Sequence, residues 1–265
     1  MKKTLFLFGF FFTILISTVS GFALPLVDIE AALGCWLQSP SGDFSYVTTE
    51  TNSLPSTLDL EKELKYDDEK GILGRVKVDL PIIPTVYVMA APMMFEGNGL
   101  KNADFQFGDQ TIRSNTAFYS KITLNQYDAT LYYPIPFLKS ATGEKLNVDI
   151  GINARIIDTK AEIHQDAAQD TPAVNDSESA ILAVPTLFVA AQFVPHERLA
   201  LEVEGKGLQA GDNSVYSFIG RLRVNIIGPA FIAGGYRHDV IDVDESDVRI
   251  DAQFAGPFLE VGLKF

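Results

Sequence analysis

Leu146-Asn147-Val148-Asp149-Ile150-Gly151-Ile152-Asn153-Ala154-Arg155-Ile156 decides the fold. Leu146, Val148, Ile150, Ile152, Ala154 and Ile156 form one set; Asn147, Asp149, Gly151, Asn153 and Arg155 form the other. Successive side chains of a strand point to opposite faces, so this segment has one apolar and one polar face. An unbroken alternation of this length matches the roughly 9–11 residues with which a tilted strand crosses a bilayer.

The same unit recurs along the chain. Segments 27–37, 74–80, 85–96, 118–133, 180–194, 199–208, 215–227, 230–240 and 248–265 read as further strands, which makes ten. Misreading the first or third would make it eight or twelve. Four connections are short and carry proline: Pro81 and Pro84, Pro134 and Pro136, Pro195, and Pro229. The others are polar, and three are long: 38–71, 97–116 and 158–179. Short and long connections take turns, as periplasmic turns and outer loops do in outer-membrane barrels. The expected fold is all-β: a closed antiparallel transmembrane β-barrel with short periplasmic proline turns and long acidic outer loops. An even strand number puts both termini on the periplasmic side. In the first long loop, Thr57-Leu58-Asp59-Leu60-Glu61-Lys62-Glu63-Leu64 has a capping residue and apolar spacing near 3.6, which predicts a short helix.

Composition agrees with this reading. Hydrophobic residues make up 47% of the 265, yet after the first 23 positions no apolar run reaches the ~18 residues of a membrane helix. Alternation reconciles the two. The start, Met1-Lys2-Lys3 followed by an apolar run and Gly21-Phe22-Ala23, has the form of a secretory signal peptide cut after Ala23. Residues 24–265 are then one barrel domain. Lys and Arg number 21 against 34 Asp and Glu, a net charge of −13, and loss of Lys2 and Lys3 makes the remainder more acidic. Such a chain has no affinity for nucleic acid, which demands positive charge. Cys35 is the one cysteine and forms no internal disulfide; its place in the first strand marks an embedded thiol.

Charge facing lipid at mid-depth costs about 2–4 kcal/mol for Arg or Lys. The charged members of the alternation therefore face the lumen: Arg75, Lys77, Asp149, Arg155, Glu202, Glu204, Arg221, Arg223 and Glu260. Glu202 and Glu204 rise on one strand while Arg221 and Arg223 descend on the next. A hairpin with Glu204 opposite Arg221 also sets Glu202 opposite Arg223. With Asp149 and Arg155 these residues are expected to close the lumen as ion pairs. A selectivity filter of opposed charges in a narrow porin-like pore is the functional alternative. Two aromatic belts are expected, Tyr133, Phe193, Phe231 and Phe265 near the proline turns, and Phe95, Phe118, Tyr216 and Tyr236 near the long loops.

Of three histidines, His196 falls in a proline turn and His164 in a long loop. His238, beside Asp239 and near Asp242 and Asp244, is the one that could serve a rim-site hydrolase as general base; no partner nucleophile is marked. The acidic runs 59–69 and 242–247 offer oxygen ligands that suit divalent cations, but lack calcium-loop spacing and its glycine. No cofactor motif and no dedicated metal site is present in the sequence.

At the C-terminus, Leu259, Val261, Leu263 and Phe265 alternate with Glu260, Gly262 and Lys264. This ending resembles the assembly signal that bacterial outer-membrane barrels present to their insertion machinery. More narrowly, Trp36-Leu37-Gln38-Ser39-Pro40-Ser41-Gly42-Asp43, the acidic segment 59–68 and Gly234-Gly235-Tyr236-Arg237 resemble an uncharacterised family of proteobacterial outer-membrane proteins. The resemblance implies a Gram-negative outer-membrane protein in contact with outer-membrane lipids and transfers no functional residues; the chain is expected to be a monomer. The expected role is structural or surface-interacting, without catalysis.

Overall fold

The computed structural model describes residues 27–46, 57–80, 83–107, 110–167, 173–245 and 248–265. The proposed leader, residues 1–23, lies outside them.

Ten long strands form the wall: β1 (Asp28–Tyr46), β3 (Glu69–Asp79), β4 (Thr85–Gly99), β7 (Phe118–Pro134), β8 (Leu146–Gln165), β9 (Val174–His196), β10 (Leu199–Ala210), β11 (Asn213–Ile227), β12 (Ala230–Glu245) and β13 (Val248–Lys264). Each pairs antiparallel with the wall strand before it, and β13 pairs back onto β1, which closes the barrel. Ile29 and Phe265 exchange both backbone hydrogen bonds at that closure, at 3.0 and 2.9 Å. Over the span where all ten strands pair, closure leaves no sheet edge, the condition for a sheet whose outer face is apolar to lie in hydrocarbon. That outer face is apolar: Ile152, Leu187, Val203, Phe218, Leu259 and Val261 are all exposed on it.

Parity of the opening stretch holds. Asn153 and Arg155 are buried inside, while Ile150, Ile152 and Ile156 are exposed outside. The strands nevertheless run longer than their alternation. β1 continues through Ser39-Pro40-Ser41-Gly42, and β8 and β9 absorb most of the loop expected at 158–179. Backbone pairing carries a strand past the point where lipid ceases to impose an apolar side.

Pro134 and Pro195 lie at the ends of β7 and β9; four other prolines lie farther inside wall strands, each where one ladder lapses. Pro92 follows the last β3–β4 pair, Gly74↔Ala90, and Pro185 lies two residues before the outermost β9–β10 pair, Leu187↔Gly207. Pro40 lies past the end of β3, and Pro257 sits in a break of the β1–β13 ladder. A residue without an N–H is tolerated where no neighbour needs one.

The first long loop folds inward. Instead of a helix at 57–64 there is a two-residue strand, β2 (Leu58–Asp59), paired with β1, then a turn. Asp59 Oδ1 accepts from the amides of Glu61 and Lys62 at 3.0 and 2.8 Å, which competes with helical bonding. Leu58, Leu60, Leu64 and Tyr66 drop into the barrel mouth. The second loop adds a small hairpin, β5 (Phe105–Phe107) with β6 (Gln110–Ile112), whose Phe105, Phe107 and Ile112 join them.

The aromatic belts are accordingly redistributed. Tyr133, Phe193, Tyr236 and Phe265 are exposed on the outer face, and Tyr216 is half-buried. Phe95, Phe118 and Phe231, expected at the interfaces, are 1%, 2% and 2% exposed and point inward. Parity, not depth, decides their side. At the end bearing the termini, connections are short, with one helical turn, α1 (Leu138–Ala141), in the longest.

Candidate functional site

Inward positions arrive from every wall strand, in three tiers. Toward the loop end the interior is an apolar plug: Phe44, Leu58, Leu60, Leu64, Phe95, Phe105, Phe118 and Phe254 pack as one cluster. Phe95 stacks between Tyr66 and Phe254, with ring centroids 6.2 and 5.5 Å away.

Below it lies the first charged cluster. Asp128 Oδ1 accepts from Arg155 Nε at 2.9 Å and its Oδ2 from Lys206 Nζ at 3.1 Å. Asn153 bridges Asp128 and Thr186, donating to each at 2.9 Å. Asp239 accepts from Arg237 at 2.7 Å and from the Ser217 hydroxyl at 2.6 Å. Arg237 also donates to Gln126 at 2.9 Å, and its guanidinium lies 4.6 Å from the ring centroid of Trp36.

The second cluster centres on Arg221. Its Nη1 reaches Glu202 at 3.0 Å and Glu204 at 2.8 Å, and its Nε lies 3.0 Å from Glu260. Arg75 pairs with Glu260 at 2.7 Å and with Glu30. Arg223 joins Glu30 at 2.8 Å to Glu202 at 3.0 Å. Lys77 lies 3.4 Å from Glu204, to which Tyr87 donates at 3.0 Å. Four carboxylates thus meet four cations, and Arg75 and Arg223 cover the ring of Phe231 at 5.7 and 5.6 Å. Matching is obligatory here, because removing one partner of a buried pair typically costs about 3–5 kcal/mol.

Of the residues the sequence singled out, Glu202, Glu204, Arg221, Arg223 and Arg155 all lie in these clusters, Arg155 bound to Asp128. Asp149 differs: it sits nearer the termini, accepts from Asn147 at 2.7 Å, and lines a cavity that borders the second cluster at Glu30, Lys77, Glu202 and Glu204. The hairpin pairing also differs. Glu202 stands opposite Arg221 and Ala200 opposite Arg223. The strands run up to a two-residue turn, Gly211-Asp212, with φ +64° at Gly211, and turn length sets the register. This turn is tighter than the gap between the expected strands 199–208 and 215–227. Arg221 therefore bridges both glutamates instead of one.

Glu30, Asp128, Lys206, Arg237 and Asp239 were missed as partners. Asp128 alternates with Tyr127 and Ala129, and Lys206 follows Glu202 and Glu204 at every second position, so parity points inward for both. Arg237 and Asp239 follow Phe231, Ala233 and Gly235 on one face, a pattern that hides a lumen side. The polar cavity, about 220 Å³, opens at the terminal end and is lined by Asp28, Asp79, Asp149, Lys77, Tyr132 and Lys264 among others.

His238 lies on the outer parity of β12 and contacts Gln253 at 3.3 Å, whereas Asp239 serves Arg237 inside. Among the described residues no three acidic, histidine or cysteine side chains converge as metal ligands.

No family model and no curated protein matches the chain. Solved structures do. The outer-membrane protease OmpT of Escherichia coli aligns with a TM-score of 0.53 over 93% of this chain and 99% of that one, at 10% identity. The translocator domain of the autotransporter NalP from Neisseria meningitidis gives 0.44 over 98% and 95%, at 9%. Ail, the attachment invasion locus protein of Yersinia pestis, gives 0.34 over 91% and 99%, at 8%. The likeness to OmpT shows the fold: an outer-membrane type β-barrel.

Proposed function

We propose that this chain is an integral outer-membrane barrel with a sealed lumen, whose role is structural or surface-interacting and does not include catalysis. It stands with both termini in the periplasm, and its acidic loop end faces outward. The observation that carries this reading is the filled cross-section: Trp36, Arg75, Tyr87, Arg155, Phe188 and Arg237 are all fully buried inside the barrel. Their paired charges hold one another in place, and the apolar plug lies between them and the loop end. The outer position of His238, turned from Asp239, supports a role without general-base chemistry.

The protein is expected to be inserted as a monomer by barrel-insertion machinery that reads Leu259, Val261, Leu263 and Phe265. Leu259, Val261 and Phe265 are exposed on the outer face, Leu263 partly so. A second reading, a narrow porin-like channel, draws on the cavity at the terminal end, which holds several waters' volume and reaches Lys77 and Glu204. Planar-bilayer recording separates the two. Purified barrel should insert without unitary current; steady, reproducible conductance steps would replace the sealed barrel by the channel.

A further inference from the structure

The wall is uneven at its loop end. β9 pairs with β8 along nearly its whole length, from Gln165↔Val174 to Leu146↔Phe193. Its pairing with β10 covers only Leu187–His196 against Leu199–Gly207. Residues 174–185 of β9 therefore have a ladder on one side and none on the other among the described residues. β10 cannot follow them, because its hairpin turns back at Gly211-Asp212, and Pro185 at the foot of the gap has no N–H to offer.

This edge stands in water. Outward side chains of β8 change from Ile152 and Ile156 to Asp158, Lys160 and Glu162, and the β9 residues opposite those three are Ile181, Ser179 and Ser177. Ile181 is 75% exposed, and Asn175, Ser177, Glu178, Ser179 and Ala180 are exposed as well. A long open edge is the template onto which another extended chain pairs.

Its charge selects the occupant. Asp176 and Glu178 lie on the edge strand, Glu162 on its neighbour, Asp166 just past that strand's end, and Asp212 in the adjoining turn. Lys160 is held by Glu162 at 2.5 Å, which neutralises that one carboxylate and leaves the others to make the edge acidic. A second copy pairing edge to edge would bring Asp176 and Glu178 against their own images, which like charges in facing strands disfavour. We propose that the free edge of β9 binds an extended peptide segment rich in lysine or arginine by strand addition. Backbone hydrogen bonds fix the segment, and the rim carboxylates take its cations. This deepens the surface-interaction reading and rests on it.

The test uses the full barrel in nanodiscs and a synthetic ten-residue peptide alternating lysine with valine. Binding should slow hydrogen exchange in residues 174–185. N-methylation of every second peptide amide along one edge should weaken binding by about tenfold or more, since each methyl removes a ladder bond. Replacing the lysines by glutamates, or introducing Asp176→Lys with Glu178→Lys in the barrel, should weaken it comparably. Equal binding of the N-methylated peptide would overturn strand addition; equal binding of the glutamate peptide would overturn the charge selection. Protection of 174–185 without peptide, together with a dimer in solution, would make the occupant a second copy. Conductance recording stands apart from these readouts, so a leaking barrel that still binds the peptide would sink the sealed-lumen reading alone.

Discussion

Arg75 on β3 donates to Glu260 on β13 at 2.7 Å, across 185 positions of sequence and over the intervening strand β1. The reach is open because β1 presents Ala32 opposite Arg75 and Gly34 opposite Glu260. A Cβ on Gly34 would lie 2.3 Å from the carbonyl oxygen of Leu259 and 2.8 Å from Glu260 Cβ. Gly34→Val is expected to destabilise the barrel by about 1–3 kcal/mol, the usual cost of overpacking. Urea unfolding in micelles would show it; an unchanged midpoint would contradict the crossing.

Arg221 joins Glu202, Glu204 and Glu260. Arg221→Met leaves those carboxylates facing one another and should cost about 3–5 kcal/mol. Adding Glu204→Gln should recover part of the loss, since the double variant removes both members of one pair. Cold gel mobility against temperature reads both steps. A single variant as stable as the parent would mean the network does not hold the lumen shut.

Trp36 is the one tryptophan of the chain and is fully buried against Arg237. Its emission should be blue-shifted and shielded from acrylamide in the folded barrel. Arg237→Gln removes the cation over the ring and leaves Asp239 without its main partner, so quenching should rise without global unfolding. Emission insensitive to that substitution would place the indole elsewhere.

Cys35 is exposed on the outer face of β1, between the inward Gly34 and Trp36. A nitroxide attached there should relax more with oxygen than with a water-soluble nickel chelate, as a lipid-facing site does. The reverse ratio would put the outer belt in water and unmake the membrane assignment.

The inturned loops should respond to acid. The Lys62 ammonium, 2.8 Å away, holds the Asp59 carboxyl below the ordinary carboxylate range, and the Ser114 amide, at 2.7 Å, does the same for Asp104. A folded-state value below the unfolded one contributes order that is complete above the ordinary range and lost as pH falls through the lowered value. Proteolytic resistance of segment 57–66 should thus hold from neutrality down to the ordinary carboxylate range, about pH 4, and be lost progressively only below it. Asp59→Asn should flatten much of that transition; a loss of resistance centred near neutrality would point to another group.

Side-chain parity in residues 146–156 was legible at once, because a pleated strand between oil and protein interior permits only one assignment of its faces. The same rule exposed Glu202, Glu204, Arg221 and Arg223 as inward groups, and the spacing of proline turns gave the strand number. Pairing across distant strands was not legible. Whether Arg155 meets Asp149 or Asp128, whether Arg221 holds one glutamate or three, and whether Leu58 and Leu64 sit in water or seal the mouth depend on closure of β13 onto β1 and on a two-residue turn. Local sequence fixes which way a side chain points, since that follows from its own backbone. Only the closed barrel decides what it meets, since those partners are set by register and shear summed around the whole sheet.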